Sequence, residues 1–361
     1  MKKINNIQTS VVKIFEKSNI KFIFRKNNEI IYDKVFSGLS YKPVFFSGSM
    51  IKYQEMYFNN YFPLFFDSSI IILSDNRPVG LWIVNFVEID GVLKIFTFGR
   101  GVCQPIFLDE VPVGTIKKIC SKIIEAIKCI SVEFNFEYVD FDYLTLPPDQ
   151  ATGYSEWHRQ LISNGAYLRD IRYDIFTEVS INLDKIRSHF RKSYRSLINV
   201  AMKEWSVETL DHINININIW IEFMQLHLNV SGKITRSKET WDAQWEMIIK
   251  NEAFLVTLRD KNDDRLVGAG FFQNTCDEGF YSVAAYDRSL FDKPLGHAVQ
   301  YEAIKRMKTI GIKWYFLGER HYPQGSHLPT KKEISISEFK EGFSTNMYGR
   351  PQIRLNNGEL Q

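Results

Sequence analysis

Cysteine is scarce in this chain of 361 residues: Cys103, Cys120, Cys129 and Cys276 are all there is. They show no metal-ligand spacing, and four in such a length do not make a disulfide scaffold. A reduced, cytoplasmic setting without a metal centre is the expectation. Charge of one sign is missing too. The 45 basic and 42 acidic residues leave a formal net charge of +3, too small to make nucleic acid the main partner. Any basic function has to come from local clustering. Long hydrophobic runs are also absent. The most apolar stretches, "SSIIILS" and "GLWIVNFVEI", are interrupted well short of a membrane span. The start, "MKKINNIQTSVVKIFEKSNIKF", has two lysines but no apolar core leading to a small-residue cleavage site, so no signal peptide is expected. No phosphate-binding P-loop and no dinucleotide fingerprint is present.

What is there is a chain long enough for two domains. The hydrophobic share of 45% and charged share of 24% are ordinary for a globular protein. The 28 Phe and 17 Tyr favour large cores or stacking surfaces.

Two segments share a layout. The first runs "SSIIILSDNRPVGLWIVNFVEIDGVLKIFTFG", a loop, "TIKKICSKIIEAIKCI" and "VEFNFEYVDF". The second runs "EAFLVTLRDKNDDRLVGAGFFQNTCDEGFYSVAAYD", a loop, "HAVQYEAIKRMKTIG" and "IKWYFLG". Each reads as strand, polar turn, a strand opening with Val-Gly, turn, strand, loop, helix, strand. Their turns, "SDNRP", "EIDG" and "RDKNDD", have hairpin chemistry. Apolar residues recur at helical spacing at Ile116, Ile119, Cys120, Ile123, Ile124 and Ile127, and again at Val299, Ala303, Met307 and Ile310. Each unit therefore packs helices on a mixed sheet. Between them lies a Pro-rich turn with a short helix and one or two strands. The patterned helix "DKIRSHFRKSYRSLINVAMKEW" follows, with Asp184 as its expected N-cap. A helix pair is expected over "INIWIEFMQLHLNVSG" and "SKETWDAQWEMIIKN". The domain boundary is placed near residue 180, giving domains 1–180 and 181–361.

Several stretches resemble a known family. The layout is similar to the GNAT acyltransferase fold used twice, as in the FemAB/FemX group and its relatives in surface-polysaccharide and cell-wall biosynthesis. "HFRKSYRSLINVAMKEWSVE" looks like the family's basic helix, and "LHLNVSGKITRSKETW" like its helix–loop–helix insert. "GFYSVAAYDRSLFDKPLGHAVQYEAIKRMKTIGIKWYFLG" is similar to its core strand, loop, helix and strand, and "SEFKEGFSTN" to its closing Phe-Lys element. The likeness covers roughly residues 180 to 350 in detail and the first half by layout. It implies an α/β fold of two tandem GNAT-like domains. The first would be degenerate and face the acceptor; the second would hold donor and chemistry. It implies acyl or aminoacyl transfer to an amine on a phosphate-bearing sugar or a lipid- or nucleotide-linked precursor, with acyl-CoA or aminoacyl-tRNA as co-substrate and no tightly bound cofactor. A tRNA acceptor end is then a possible partner. The GNAT acetyl-CoA loop usually reads Arg/Gln-x-x-Gly-x-Gly/Ala. Here "DKPLGHA" keeps one glycine and no basic residue at the first position, which leaves donors other than acetyl-CoA open.

The candidate residues follow. Gly296, His297 and Ala298 open a helix after a charged loop, so their N–H groups, helped by Lys293, either hold a phosphate or simply join strand to helix. Arg187, Arg191 and Arg195 recur every four residues with no acid interleaved. They form a phosphate-binding row with Lys192 beside it, or a solvated face. The insert groups His227, Lys233 and Arg236 as a lid reaching phosphate, or as a polar loop. Amide formation needs a group to take the amine's proton. Asp287 and Glu319 end neighbouring core strands, with His321 nearby, and Tyr281 and Tyr315 are candidate donors to the oxyanion. In the first domain, Arg100 lies between two glycines as an acceptor contact or a turn residue. Cys103 has no neighbouring base in sequence to activate it as a nucleophile.

Overall fold

A computed structural model describes residues 2–142, 155–324 and 328–356. The "TLPPDQATGY" turn, residues 145–154, falls outside them. The chain forms two compact units: Met1–Arg172 with Gly349–Gln361, and Tyr173–Tyr348. The division lies close to the expected boundary at residue 180. The second expected domain, 181–361, needs a correction, because the last residues return to the first unit. One long strand makes that return, and periodicity in sequence does not say which unit a strand joins.

In the first unit, α1 (Lys2–Lys17), β1 (Phe22–Phe24), α2 (Glu29–Gly38) and α3 (Gly48–Asn59) precede the expected repeat. Then come β2 (Phe65–Asp67), β3 (Ile70–Ser74), β4 (Arg77–Trp82), β5 (Asn85–Ile89), β6 (Val92–Phe96), β7 (Ile106–Phe107), α4 (Val113–Glu133), β8 (Tyr138–Phe141), α5 (Glu156–Ser163) and the start of β9 (Tyr167–Glu178). Strands β1, β3, β4 and β7 form one antiparallel sheet in the order β1-β3-β4-β7, and β2-β5-β6 form another. The apolar run "GLWIVNFVEI" is thus cut after Trp82, and its halves serve different sheets. Asp75 and Asn76, and Asp90 with Gly91, take positive φ at the two hairpin turns, as their residue types favour.

The second unit holds the rest of β9, then α6 (Leu183–His189), α7 (Lys192–Glu204), β10 (Trp205–Leu210), α8 (Ile217–Ser231), α9 (Lys238–Ile249), β11 (Ala253–Asp260), β12 (Leu266–Asn274), β13 (Glu278–Tyr286), α10 (Gly296–Thr309), β14 (Trp314–Arg320) and α11 (Lys331–Glu341). Strand β15 (Asn346–Asn356) leads back, its end pairing with β8. The second unit's strands follow the order β10-β11-β12-β13-β14-β9. All neighbours are antiparallel except β13 and β14, which run parallel across the α10 crossover.

Side-chain alternation assigns the two faces of this sheet. Phe272 stacks on Tyr281 and belongs to the core formed with Ala298, Val299 and Ala303 of α10 and with Phe343. Its neighbour Phe271 points the other way, onto Trp220 of α8. Helices α7, α10 and α11 therefore cover one face, and α8 and α9 the other.

The basic helix is broken where none was expected. Phe190 and Arg191 are extended between α6 and α7, with ψ of 147° and 132°. Phe190 is buried against Tyr301 and Phe343, and Arg191 N donates to Gly342 O at 2.9 Å. The row of three arginines is accordingly not one helical face. The α6 cap is Asn182, which accepts from Asp184 N, and not Asp184.

Candidate functional site

The parallel ladder between β13 and β14 is short. It pairs Glu278–Phe280 with Trp314–Phe316 and stops. Irregularities follow on both sides, between Phe271 and Phe272 on β12 and between Phe316 and Gly318 on β14. Polar side chains collect at this point on the α10 side. Tyr281 and Tyr286 place their hydroxyls 3.3 Å apart. Tyr315, fully buried, donates to Gln300 Oε1 at 2.6 Å. Burial raises the pKa of all three phenols, so they stay protonated and able to donate. Gln300 is also fully buried, its Oε1 held by Tyr315 and its side-chain amide set beside the Tyr281 hydroxyl.

Lys340, in the last turn of α11, completes the cluster. Its Nζ lies 5.2 Å from the centre of the Tyr281 ring. A Cβ on Gly318 would stand 2.9 Å from that nitrogen, and Gly318 has φ +126°. The backbone there requires glycine, and a side chain would press on the end of the lysine. No hydrogen bond or ion pair engages the ammonium among the described residues. Burial lowers its pKa to about 8. Near neutral pH such an amine is shared between a cationic form that stabilises negative charge and a neutral form that accepts a proton.

The entry to α10 forms one wall. His297 packs edge-on against Tyr194 (4.6 Å) and Phe339 (5.3 Å) and tilts over Phe343 (6.0 Å). Burial takes its pKa down to about 4, so the ring is neutral, and its Nδ1 is buried without a hydrogen bond. A Cβ on Gly296 would meet Phe339 Cζ at 2.9 Å. This turn therefore faces an aromatic ring. The Arg191 guanidinium sits over the Tyr194 ring at 5.2 Å and donates to Glu338 O at 3.2 Å. Tyr194 hence touches both Arg191 and His297, and those two expected features share one face.

The other expected residues do not all converge there. Arg195 and Lys192 are exposed on α7. Lys293 pairs with Glu204 and lies over Trp205, turned from the Gly296 turn. Asp287 binds Arg265 at 2.6 Å and caps Ser289 N at 3.0 Å. Its bonds to Arg265 and Ser289 hold its carboxyl below the usual range, a poor setting for a general base. Glu319 pairs in register with Asp174. Gly318 and its partner Ile175 face the α10 core, so Glu319 and Asp174 point to the other face, where Glu319 lies 3.6 Å from His321. His227, Lys233 and Arg236 belong to the α8–α9 side and cannot act as a lid over Arg191. There His227 is 5.3 Å from Trp241, and burial lowers its pKa to about 4. Arg100 lines a cavity of about 400 Å³ in the first unit, with Lys94, Arg169 and Arg172, and its guanidinium lies over Phe45. Cys103 is buried and its thiol is pushed up to about 12, so it is no nucleophile at neutral pH.

Sequence reading missed Lys340 as a site residue, together with Gln300, Tyr286 and Tyr194. Lys340 lies within the "SEFKEGFSTN" stretch, and Tyr286 and Tyr194 within stretches already singled out. Only the fold shows that they meet. Among the described residues no group of three His, Cys, Asp or Glu is placed to hold a metal ion, and no helix is long and apolar enough to cross a membrane.

No protein-family model matches the sequence, and no curated protein is recognisably similar to it. Solved structures are. FemX superposes with a TM-score of 0.64 at 13% identity, covering 92% of this chain and 96% of that one. A tandem GNAT protein from the clavulanic acid biosynthesis pathway gives 0.51 at 13%, covering 94% and 98%. The C-terminal domain of a putative lysylphosphatidylglycerol synthetase from Agrobacterium fabrum gives 0.51 at 11%, covering 78% and 82%. The chain therefore has a tandem GNAT fold of the FemX type, as the sequence resemblance implied.

Proposed function

We propose that the chain is an N-acyltransferase that joins an acyl or aminoacyl group to an amine on a phosphate-bearing sugar or a lipid- or nucleotide-linked precursor. The observation that carries this reading is Lys340: an amine without a partner, lowered to about 8 by burial, beside protonated phenols where the parallel ladder stops. The fold shared with FemX and a tandem GNAT protein supports it by analogy.

The acyl carbonyl lies over the end of the β13–β14 ladder, and the acceptor amine attacks it. As the C–N bond forms, neutral Lys340 takes the proton from the nitrogen. Phenols such as Tyr281 donate to the tetrahedral oxygen. When the acyl–S or acyl–O bond breaks, the lysine's proton passes to the leaving thiolate or ribose oxygen. Arg191 serves the phosphate of donor or acceptor, with Arg195 and Lys192 at the rim.

The test incubates the full chain with acetyl-CoA or charged tRNA and amine-bearing sugar nucleotides or lipid-linked precursors. Mass spectrometry reads the amide product. An amino-acid increment assigns an aminoacyl donor, and an acetyl increment assigns acetyl-CoA. Either must vanish in Lys340→Met. No product with any donor, or full activity in Lys340→Met, refutes the reading; the first outcome leaves a binding module that kept the fold.

A further inference from the structure

Three lysines of the second unit lie on carboxylates: Lys238 on Asp242 at 2.6 Å, Lys313 on Asp277 at 2.8 Å, and Lys293 on Glu204. In each, the hydrogen bond to the acid raises the pKa, so the amine stays protonated and offers no lone pair. Lys340 is set the other way. The acids that flank it on α11, Glu338 and Glu341, are both drawn to Arg320 of β14, at 3.2 and 2.7 Å. Neither is left for the lysine.

Its place in the sheet is equally particular. The paired rungs of β13 and β14 end at Phe280 and Phe316. Tyr281 is the next residue on one strand, and Gly318 lies just beyond on the other. The Lys340 Nζ stands 5.2 Å from the centre of the Tyr281 ring. A Cβ on Gly318 would lie 2.9 Å from that nitrogen and 3.8 Å from Cδ. The lysine thus lays its end across the mouth of the gap between the strands, half-buried and within reach of solvent. The hydroxyls of Tyr281 and Tyr286 lie 3.3 Å apart on that side of the sheet. The proposed reaction brings an acyl carbonyl here and asks the lysine only to take a proton. A neutral amine in this position is a nucleophile as well, and burial, which takes the pKa down to about 8, supplies the neutral form.

We propose that Lys340 is a self-acylation site: with an activated acyl donor bound and no acceptor amine present, the chain acylates its own lysine and switches itself off. This rests on the acyl-transfer reading for the donor's presence at the gap. The Nζ lone pair attacks the carbonyl carbon, and the phenols donate to the oxyanion that forms. The C–S or C–O bond then breaks, and its electron pair leaves on the thiolate or ribose oxygen. The proton shed by Nζ neutralises that group. The product is an uncharged amide that can no longer accept a proton.

The experiment incubates the full chain without acceptor, with acetyl phosphate in one series and with acetyl-CoA or charged tRNA in another. Peptide mass spectrometry maps the modified lysines over time. Acetyl phosphate needs no donor pocket, so it reads the amine alone. It should acetylate Lys340 about tenfold or more faster than the exposed Lys192 or the acid-paired Lys293. One of the two carrier donors should label Lys340 as well, with amide formation lost in proportion to the modified fraction. Lys340 labelled no faster than Lys192 by acetyl phosphate, or left unmodified by both carrier donors, overturns the proposal. Amide formed on an acceptor while Lys340 is never modified ends self-acylation alone. Lys340 labelled by a carrier donor, with no amide on any acceptor, supports self-acylation and ends the transfer reading alone.

Discussion

The two units build the same strand–helix–strand crossover and differ in how the charges near it are paired. In the first unit the parallel contact shrinks to a single bridge, Val102 with Phe141. A Cβ on Gly101 would stand 2.5 Å from Asp140 O, so the backbones touch where a ligand would need room. The buried charges are matched: Arg350 to Asp142 at 3.1 Å, with Gln352 donating to the same oxygen at 3.1 Å, and Arg25 to Asp67 at 2.8 Å. Trp82 Nε1 donates to Cys103 O at 2.9 Å, and the space beside Cys103 has no room for a water molecule. In the second unit the ladder runs three pairs, and among the described residues the Lys340 amine has no ion pair. Buried charge that is matched inside holds a scaffold together. A half-buried cation of lowered pKa, without an ion pair and at a gap in a sheet, points to chemistry.

The sharpest way to break this comparison is to remove one cation from each unit, the half-buried Lys340 and the buried Arg350. Lys340→Met should cut amide formation by about 10²–10⁴-fold, the span of general acid–base catalysis. Its melting temperature should hold or rise, because a partly desolvated ammonium without an ion pair is a cost to the fold. Arg350→Met should do the reverse, destabilising the protein by about 3–5 kcal/mol by stranding Asp142, as read by urea denaturation. Loss of stability in the lysine variant with little loss of rate would make the two cations alike and end the distinction.

Titration sharpens the same contrast. The folded Lys340 titrates at about 8, against 10.5 for the free side chain. Between those values the unfolded chain binds more protons, so this group makes stability rise with pH from about 8 to 10.5, and its full cost is felt below 8. The rate of acyl transfer should rise through pH 8 as the amine becomes neutral. Both dependences should be absent in Lys340→Met. A smaller effect follows from the glycine beneath it. Gly318→Ala forces a side chain into φ +126° and against Lys340 Nζ, costing about 1–3 kcal/mol. It should also displace the lysine, so rate falls further than stability alone explains.

Much of the fold was legible because its signals are local. Asp, Asn and Gly mark the hairpins, and the apolar stripes of α4 and α10 mark their buried faces: Ile123 and Ile127 in one, Val299, Ala303 and Met307 in the other are all buried. The candidate site was legible only in part. Tyr281, Tyr315 and His297 were found, because they sit beside the crossover that the pattern announces. Lys340 was hidden in a helix whose one buried residue is Ser337; its amine is desolvated by residues around 281 and 318, far off in sequence. The face taken by Glu319 depends on one extra residue at the irregularity near Leu317, which no two-residue alternation foresees. The break at Phe190 and Arg191 carries no Pro or Gly. It is made by a buried ring and by a bond to Gly342.

The smallest expected effect is the one that tests the turn before α10. Lys293 stood out in sequence as the cation nearest to the free N–H groups at Gly296, yet it spends its charge on Glu204, with both side chains 41% exposed. Its hydrogen bond to Glu204 raises its pKa, but solvent screens so exposed a pair and leaves it little weight in stability. Lys293→Ala should therefore shift the urea midpoint slightly and change the rate of amide formation less than about threefold, far below the loss in Lys340→Met. A tenfold rise in KM for the donor alone would mean that the lysine leaves Glu204 when ligand arrives. The phosphate would then bind before α10, as the loop's sequence first suggested, and the aromatic ring of Phe339 would have to move aside to admit it.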